Sequence, residues 1–336
     1  MEAIKVMVWG LGAMGSGIAR LVAAKPGLVL VAGVDRDSAK AGRDLGLLCG
    51  GGSMHLTVES DPGAALTRVR PDIVMIATDS FLANVAPQVE TAMAAGCNVI
   101  CLAEEMAYPW VVDPVESDRL DRLARQNGVT VLGTGINPGF VLDTLIIALT
   151  GVCHEVRRIK ATRVNDLSPY GPTVMRTQGV GTSPEEFAAG LASGEIVGHV
   201  GFQQSAAMIA AAIGWKLERV EEVREPIVAR VRREAKYVTV EPGCVAGCRH
   251  LAYAYLDGRI VLELIHPQQV CPAAEEIETG DYIEIEGVPG LNMCIKPEIR
   301  GGIGTIGIAV NMIPKVIEAR PGLVCMKDLP VPSAIL

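Results

Sequence analysis

The sequence predicts an α/β protein in which an N-terminal doubly wound parallel sheet is joined to an α+β domain with a mostly antiparallel sheet. Three observations carry this. The chain opens on an apolar strand that runs into closely spaced glycines and then a helix. Apolar runs and helical segments alternate up to about residue 135, and longer alternating segments take over from about Val156.

Ile4, Val6, Met7, Val8 and Trp9 form the first strand, which feeds directly into Gly10-Leu11-Gly12-Ala13-Met14-Gly15 and an apolar-periodic helix. The spacing suits a phosphate-cradling turn. Gly10 permits the tight turn, Gly12 lets the backbone approach a pyrophosphate, and Gly15 lets the helix pack close to the strand. The anion then faces the unpaired N–H groups and positive dipole of the helix N-terminus. A second strand, Leu28 to Val34, ends at Asp35, where an acidic side chain meets an adenosine ribose. This is the order of a Rossmann dinucleotide-binding unit. Arg36 and Lys40 stand where a 2′-phosphate would project, so both NAD and NADP stay open.

Asp72 to Thr78 reads as a buried strand that places Thr78 at the carboxyl end, and Asp79-Ser80 is positioned to cap a helix over Val85 to Ala95. The next strand, Val99 to Ala103, ends at Glu104-Glu105. A helix (Pro114 to Gln126) and a strand (Val129 to Leu132) lead to Gly133 and Phe140. Ligands of such sheets bind outside the carboxyl ends of the strands. The cofactor-binding residues expected here are Gly10, Leu11, Gly12, Ala13, Met14, Gly15, Asp35, Arg36 and Thr78.

In the second half, Arg157 to Val164, Arg249 to Tyr255, Arg259 to Ile265 and Asp281 to Glu286 alternate as strands with one wet face, and Asp257-Gly258 is a hairpin turn. Helices are expected over Pro184 to Ala192, Gly201 to Ile213 and Ile303 to Ala319, the last returning to the nucleotide domain. The expected division is residues 1–136 with 302–336, and residues 137–301 as a substrate-binding domain.

Composition narrows the class. The 336 residues carry a formal charge of −8 without a cationic stripe, which argues against a nucleic-acid partner. Apolar runs are broken well short of about 18 residues, and no basic segment precedes an apolar signal core, so no membrane partner and a cytoplasmic location are expected. Nine cysteines are scattered without zinc-site or disulfide-scaffold spacing, so no metal is expected. Cys244 and Cys248 come closest and lack a second ligand pair.

A nicotinamide enzyme needs a proton-handling group at the strand ends next to the ring. Glu104 and Glu105 occupy that place, and no lysine occurs between Lys40 and Lys160. A carboxylate there would stabilise an iminium and take a proton from attacking water, so amine chemistry fits better than alcohol chemistry. Strand alternation would point the two glutamates in opposite directions, and Glu104 is favoured. Arg163 and Asn165 share one strand face, where an arginine would hold a substrate carboxylate bidentately. His199, His266 and Asn137 are further substrate-pocket candidates, as is Thr305 at the glycine-rich start of the returning helix. An aldehyde or alcohol dehydrogenase of homoserine or semialdehyde type, with Cys101 close by, and a non-catalytic nucleotide sensor are the competing readings.

Taken together, Gly-Leu-Gly-Ala-Met-Gly, Glu-Glu-Met-Ala-Tyr-Pro-Trp from Glu104, Gly-Thr-Gly-Ile-Asn-Pro-Gly-Phe from Gly133, Arg-Val-Asn-Asp from Arg163 and Gly-His-Val-Gly from Gly198 resemble the 2,4-diaminopentanoate dehydrogenase family. That family is grouped with dihydrodipicolinate-reductase-like dehydrogenases, and native amine dehydrogenases resemble it. The resemblance implies NAD- or NADP-dependent oxidative deamination of 2,4-diaminopentanoate to 2-amino-4-oxopentanoate and ammonia, in ornithine catabolism. It also implies Glu104 as catalytic acid, with Arg163, Asn165, Asn137, His266 and Thr305 around the amino-acid end of the substrate. Covering exposed sheet edges makes a homodimer through the second-domain sheet the expected assembly.

Overall fold

Short, predominantly apolar runs become the largely buried strands of the first sheet. In the computed structural model, which describes residues 3–336, these are β1 (Ile4–Trp9), β2 (Leu28–Val34), β3 (Ile73–Ile76), β4 (Asn98–Cys101) and β5 (Thr130–Gly133), with α1 (Ala13–Ala24) between the first two. All four residues of β3 are fully buried, and β1 buries Val6, Met7 and Val8 completely. Together with a late strand, Gly322–Val324, they form a six-stranded sheet in the order Gly322–Val324, β5, β4, β3, β1, β2, with every pairing parallel. The strand order reverses between β3 and β1, so the ligand crevice of this sheet lies outside their carboxyl ends.

The helix Pro114–Asn127 shows how locally these elements are written. Asp113 caps it by accepting from Glu116 N at 2.9 Å, Pro114 starts it where no N–H is needed, and Gly128 closes it in the left-handed region at φ 68°. Two helix expectations are corrected. The helix after β3 runs Leu82–Ala94, and its first N–H is taken by Glu105 Oε2 at 2.7 Å, while Asp79 Oδ1 accepts from Ser80 N and Phe81 N instead. The returning helix is two helices, Gly301–Asn311 and Ile313–Ile317, because Pro314 has no N–H to continue the ladder.

The described chain up to Phe140 joins Gly301–Leu336 in one compact unit, and Val141–Arg300 forms a second. The second holds β6 (Glu155–Asp166), β7 (Arg219–Val228), β8 (Arg233–Ala235), β9 (Val238–Val240), β10 (Val245–Leu256), β11 (Arg259–Gln269), β12 (Gly280–Val288) and β13 (Leu291–Ile295). Its main sheet runs β13, β12, β6, β11, β10, β7, antiparallel throughout except for the β6–β11 pair. Side-chain alternation along β6 buries Ile159, Ala161, Arg163 and Asn165 on one face. The strands outrun their sequence-level limits: β11 continues through His266 and Pro267 to Gln269, and β6 through Asn165 to Asp166, so these residues lie within strands and not after them.

Candidate active site

The glycine turn is built as its spacing requires. Gly10 sits at φ +95°, and a Cβ there would come within 2.6 Å of Ala77 O. A Cβ on Gly15 would stand 1.7 Å from Gly10 O, so Gly15 makes room chiefly for the turn's own carbonyl. Gly12 has no atom within 4 Å of a would-be Cβ, leaving its backbone open to a ligand. α1 has no side-chain cap at Gly12, so the first N–H groups of Ala13 and Met14 are available to an anion. The open turn, the uncapped helix and the acid at the end of β2 fit a dinucleotide pyrophosphate and ribose.

Asp35 is nearly buried and braces this turn. Its Oδ2 accepts from Leu11 N and from Lys40 Nζ, both at 2.8 Å, and its Oδ1 accepts from Asp37 N at 2.9 Å. Burial pushes the carboxyl up, but Lys40 and the two amides outweigh it and hold Asp35 below its ordinary value, hence ionised. Lys40 is thereby committed to Asp35, whereas Arg36 is exposed and enters no ion pair among the described residues. Thr78 lies just past β3, its methyl against Gly10 and its hydroxyl donating to Gln88 Oε1 at 2.6 Å.

Beyond β4 the chain does not continue as a strand. Glu104–Ala107 is a 3-10 turn, so the two glutamates are separated by turn geometry and not by strand alternation. Glu105 is occupied in capping Leu82 N. The Ser80 hydroxyl lowers the Glu104 carboxyl, but burial, with Asp79 and Glu105 adding to it, outweighs this and raises it above the ordinary range. Cys101 is fully buried, and burial pushes its thiol up to about 12, which removes the thiolate a semialdehyde mechanism needs. In the same unit, Thr305 Oγ1 accepts from Ile136 N at 3.2 Å, while both polar atoms of the Asn137 side chain and Thr134 Oγ1 are buried without a partner.

The second unit carries the other candidates. Arg163, expected to present a guanidinium to a carboxylate, is 1% exposed and bonded at 2.5 Å to both Asp281 Oδ1 and Ile299 O. Its fork is consumed by the protein. Its carbonyl accepts from His266 Nδ1 at 2.6 Å, which places the ring proton on Nδ1 and leaves Nε2 as an acceptor. Burial, with Arg163 adding to it, lowers His266 to about 3, and His199 is lowered well below its ordinary value by burial and then by His266 and His250, so both rings are neutral. His199 packs edge-on against His266 at 5.1 Å and Phe202 at 4.9 Å, and its Nε2, like Asn165 Oδ1, is buried without a partner. Four of the orphaned polar atoms belong to residues singled out from sequence, one each on Asn165 and His199 here and two on Asn137 in the first unit. No metal-binding cluster is present among the described residues.

Comparison with known proteins resolves which chemistry this arrangement accompanies. Residues 140–336 match the model of the 2,4-diaminopentanoate dehydrogenase C-terminal domain, and residues 4–101 that of the dihydrodipicolinate reductase N-terminus. The chain is 45% identical to a 2,4-diaminopentanoate dehydrogenase of Acetoanaerobium sticklandii over 348 aligned residues, covering 100% of this chain and 96% of that protein. The chain belongs to the 2,4-diaminopentanoate dehydrogenase family. An amine dehydrogenase of Streptomyces virginiae is 28% identical, covering 99% and 98% of the two chains. The structure of an amine dehydrogenase from Mycobacterium smegmatis superposes with a TM-score of 0.87 at 27% identity, covering 98% of this chain and 97% of that one. For this family member, sequence reasoning missed Ser80 beside Glu104, Asp281 opposite Arg163, and His250 with Glu222 beside His199. The alternation of β10 was the one available signal, because it puts His250 on the same face as the buried Cys248 and Ala252.

Proposed function

We propose that this chain is an NAD(P)-dependent amine dehydrogenase that converts 2,4-diaminopentanoate to 2-amino-4-oxopentanoate and ammonia, and runs in reverse as a reductive aminase. The observation that carries the reading is Glu104: a carboxyl group at the end of a cofactor-sheet strand, raised by burial, in a stretch with no lysine between Lys40 and Lys160. The nicotinamide supplies a two-electron hydride acceptor when bound. Loss of hydride from C4 leaves an iminium, and the Glu104 carboxylate stabilises that cation. Water adds to the iminium carbon as Glu104 takes its proton. The same group returns that proton to the amine, and as the C–N bond breaks the carboxylate takes the hydroxyl proton, leaving the ketone and ammonia.

Gly10, Gly12, Gly15 and Asp35 would hold the dinucleotide, with Arg36 and Lys40 beside the adenosine 2′ position, so the reading covers NAD and NADP. The acceptors on Asn165 and His266, with His199 in the same unit, suit the ammonium of the substrate's amino-acid end, and in the first unit Asn137 and Thr305 are the residues proposed to contact substrate. Arg163 acts through His266, whose Nδ1 its carbonyl holds, and Glu105 through the helix it caps. The reading includes a homodimer formed through the second-unit sheet, a cytoplasmic setting and a role in ornithine catabolism. The test is NAD(P)+ reduction with 2,4-diaminopentanoate, with ammonia and NAD(P)H measured together. A one-to-one yield supports the proposal, and cofactor reduction without ammonia refutes it.

A further inference from the structure

Among the polar groups around His199, the ring nitrogen Nε2 is left unpartnered while the backbone beneath it is gripped from several sides. Val197 N and Gly198 N donate to Thr177 O, both at 3.1 Å. Arg224 Nε donates to Val197 O at 2.8 Å, and Gln178 Nε2 to Gly198 O at 2.7 Å. The remaining group, His199 N, donates to His250 Nδ1 at 3.0 Å. Gly198 sits at φ +65°, and a Cβ there would lie 3.0 Å from that same nitrogen, so only glycine lets the segment rest on the His250 ring.

That contact dictates the His250 tautomer. A backbone N–H can only donate, so Nδ1 must be bare and the proton must sit on Nε2. Nε2 in turn lies 2.9 Å from Glu222 Oε2, which accepts it. Glu222 is itself fixed by Arg224 Nη2 at 2.7 Å and Gln203 Nε2 at 2.9 Å. Burial alone would raise its carboxyl, but His250, Gln203 and Arg224 hold it below the ordinary range, so it stays an acceptor. His250 is fully buried on β10, directly opposite His266 on β11 and Arg224 on β7. If its proton moved to Nδ1, donor would face donor at His199 N, and the segment would lose its hold.

We infer that the Glu222–His250 pair is a positioning device for His199, fixing its main chain so that the ring stands edge-on to His266 and Phe202 with Nε2 free for substrate. The inference rests on the proposed amine dehydrogenase reading for what His199 contacts, and on the second unit alone for how it is held.

Two substitutions separate the roles of the two ring nitrogens. His250→Gln reaches Glu222 but leaves His199 N unpaired, whereas His250→Asn places an amide oxygen where Nδ1 was. Losing one hydrogen bond to a buried N–H should cost about tenfold. His250→Gln is therefore expected to raise KM for 2-amino-4-oxopentanoate by that factor with kcat and the Kd for NADH unchanged, and His250→Asn to recover most of it. Glu222→Ala, which removes the acceptor for the His250 Nε2–H, should also raise KM, and it serves where His250→Gln does not fold. Imidazole 15N spectra, legible with five histidines, read the same contact without turnover. His250 should show the Nε2–H tautomer, and His199 signals should move in His250→Gln and not in His250→Asn. Equal KM for the glutamine and asparagine variants, or an Nδ1–H tautomer at His250, overturns the inference. Absent ammonium dependence in the unsubstituted enzyme overturns the functional reading and leaves the spectra to decide the positioning claim.

Discussion

Replacing Arg163 separates a substrate contact from a buried structural pair. Its guanidinium is 1% exposed, lies 2.5 Å from a fully buried Asp281 and bonds Ile299 O, while Asp281 Oδ2 accepts from Ile299 N at 2.9 Å. Arg163→Ala leaves the Asp281 carboxylate buried without its cation, which costs about 3–5 kcal/mol. For a unit of this size that is roughly a 6–20 °C fall in Tm, at about 2–4 °C per kcal/mol. Asp281→Ala should cost a similar amount, and the apolar pair Arg163→Met with Asp281→Leu should return Tm to near the starting value, since a whole buried pair contributes little net stability. The assay is a thermal double-mutant cycle, with activity measured on a carboxylate-bearing diamine and on a simple amine. Both activities should fall together. A Tm change under about 2 °C with loss confined to the carboxylate-bearing substrate would refute the structural assignment, because a buried unpaired carboxylate cannot be that cheap.

Glu104→Gln should lower kcat by about 10²–10⁴ with NADH affinity unchanged, measured by steady-state kinetics and fluorescence titration. Because the Glu104 carboxyl is raised in the fold, the folded state holds its proton more tightly than the unfolded chain; stability is full below the ordinary value of 4.5 and is lost as pH rises through the raised one. The glutamine variant should accordingly melt higher than the parent at neutral pH, with the gap closing on acidification; a gap that widens toward acid would contradict the raised carboxyl. Gly15→Ala, with its Cβ 1.7 Å from Gly10 O, should destabilise the apoprotein, whereas Gly12→Ala, whose Cβ meets nothing, should leave apo Tm unchanged and weaken NADH binding. Equal effects on apo Tm would contradict the open cradle. Cys101, buried with its thiol at about 12, should resist iodoacetamide in the native enzyme, and Cys101→Ala should keep activity; labelling with inactivation would restore a thiol mechanism.

The nucleotide-binding sheet was legible because its rules are local. Ile4 to Gly15 and Leu28 to Asp35 each declare strand, turn and acid within a few residues, and β3 is apolar at every position. The strand Gly322–Val324 escaped notice because three residues carry no period, and it exists only by pairing with β5. Side-chain partners were illegible for the same reason. Arg163 and Asp281 are 118 residues apart and meet only because β6 and β12 align them in register, which turned an apparent carboxylate clamp into an internal ion pair. Strand alternation favours Glu104 over Glu105, but what separates them is a 3-10 turn that gives Glu105 to Leu82 N, and a turn of that kind is not written in a period. His250 lay hidden in an ordinary strand, and only its contact with His199 N gives it a role.

The central claim is that a carboxyl group at the end of β4, and not an ammonium, serves an amine. It is tested most directly by following NADH and NADPH oxidation with 2-amino-4-oxopentanoate as ammonium is varied, in the parent enzyme and in Glu104→Gln. The account predicts oxidation that saturates with ammonium, is absent without it, and collapses in the glutamine variant. Oxidation that proceeds without ammonium, or that survives the loss of Glu104, would contradict it.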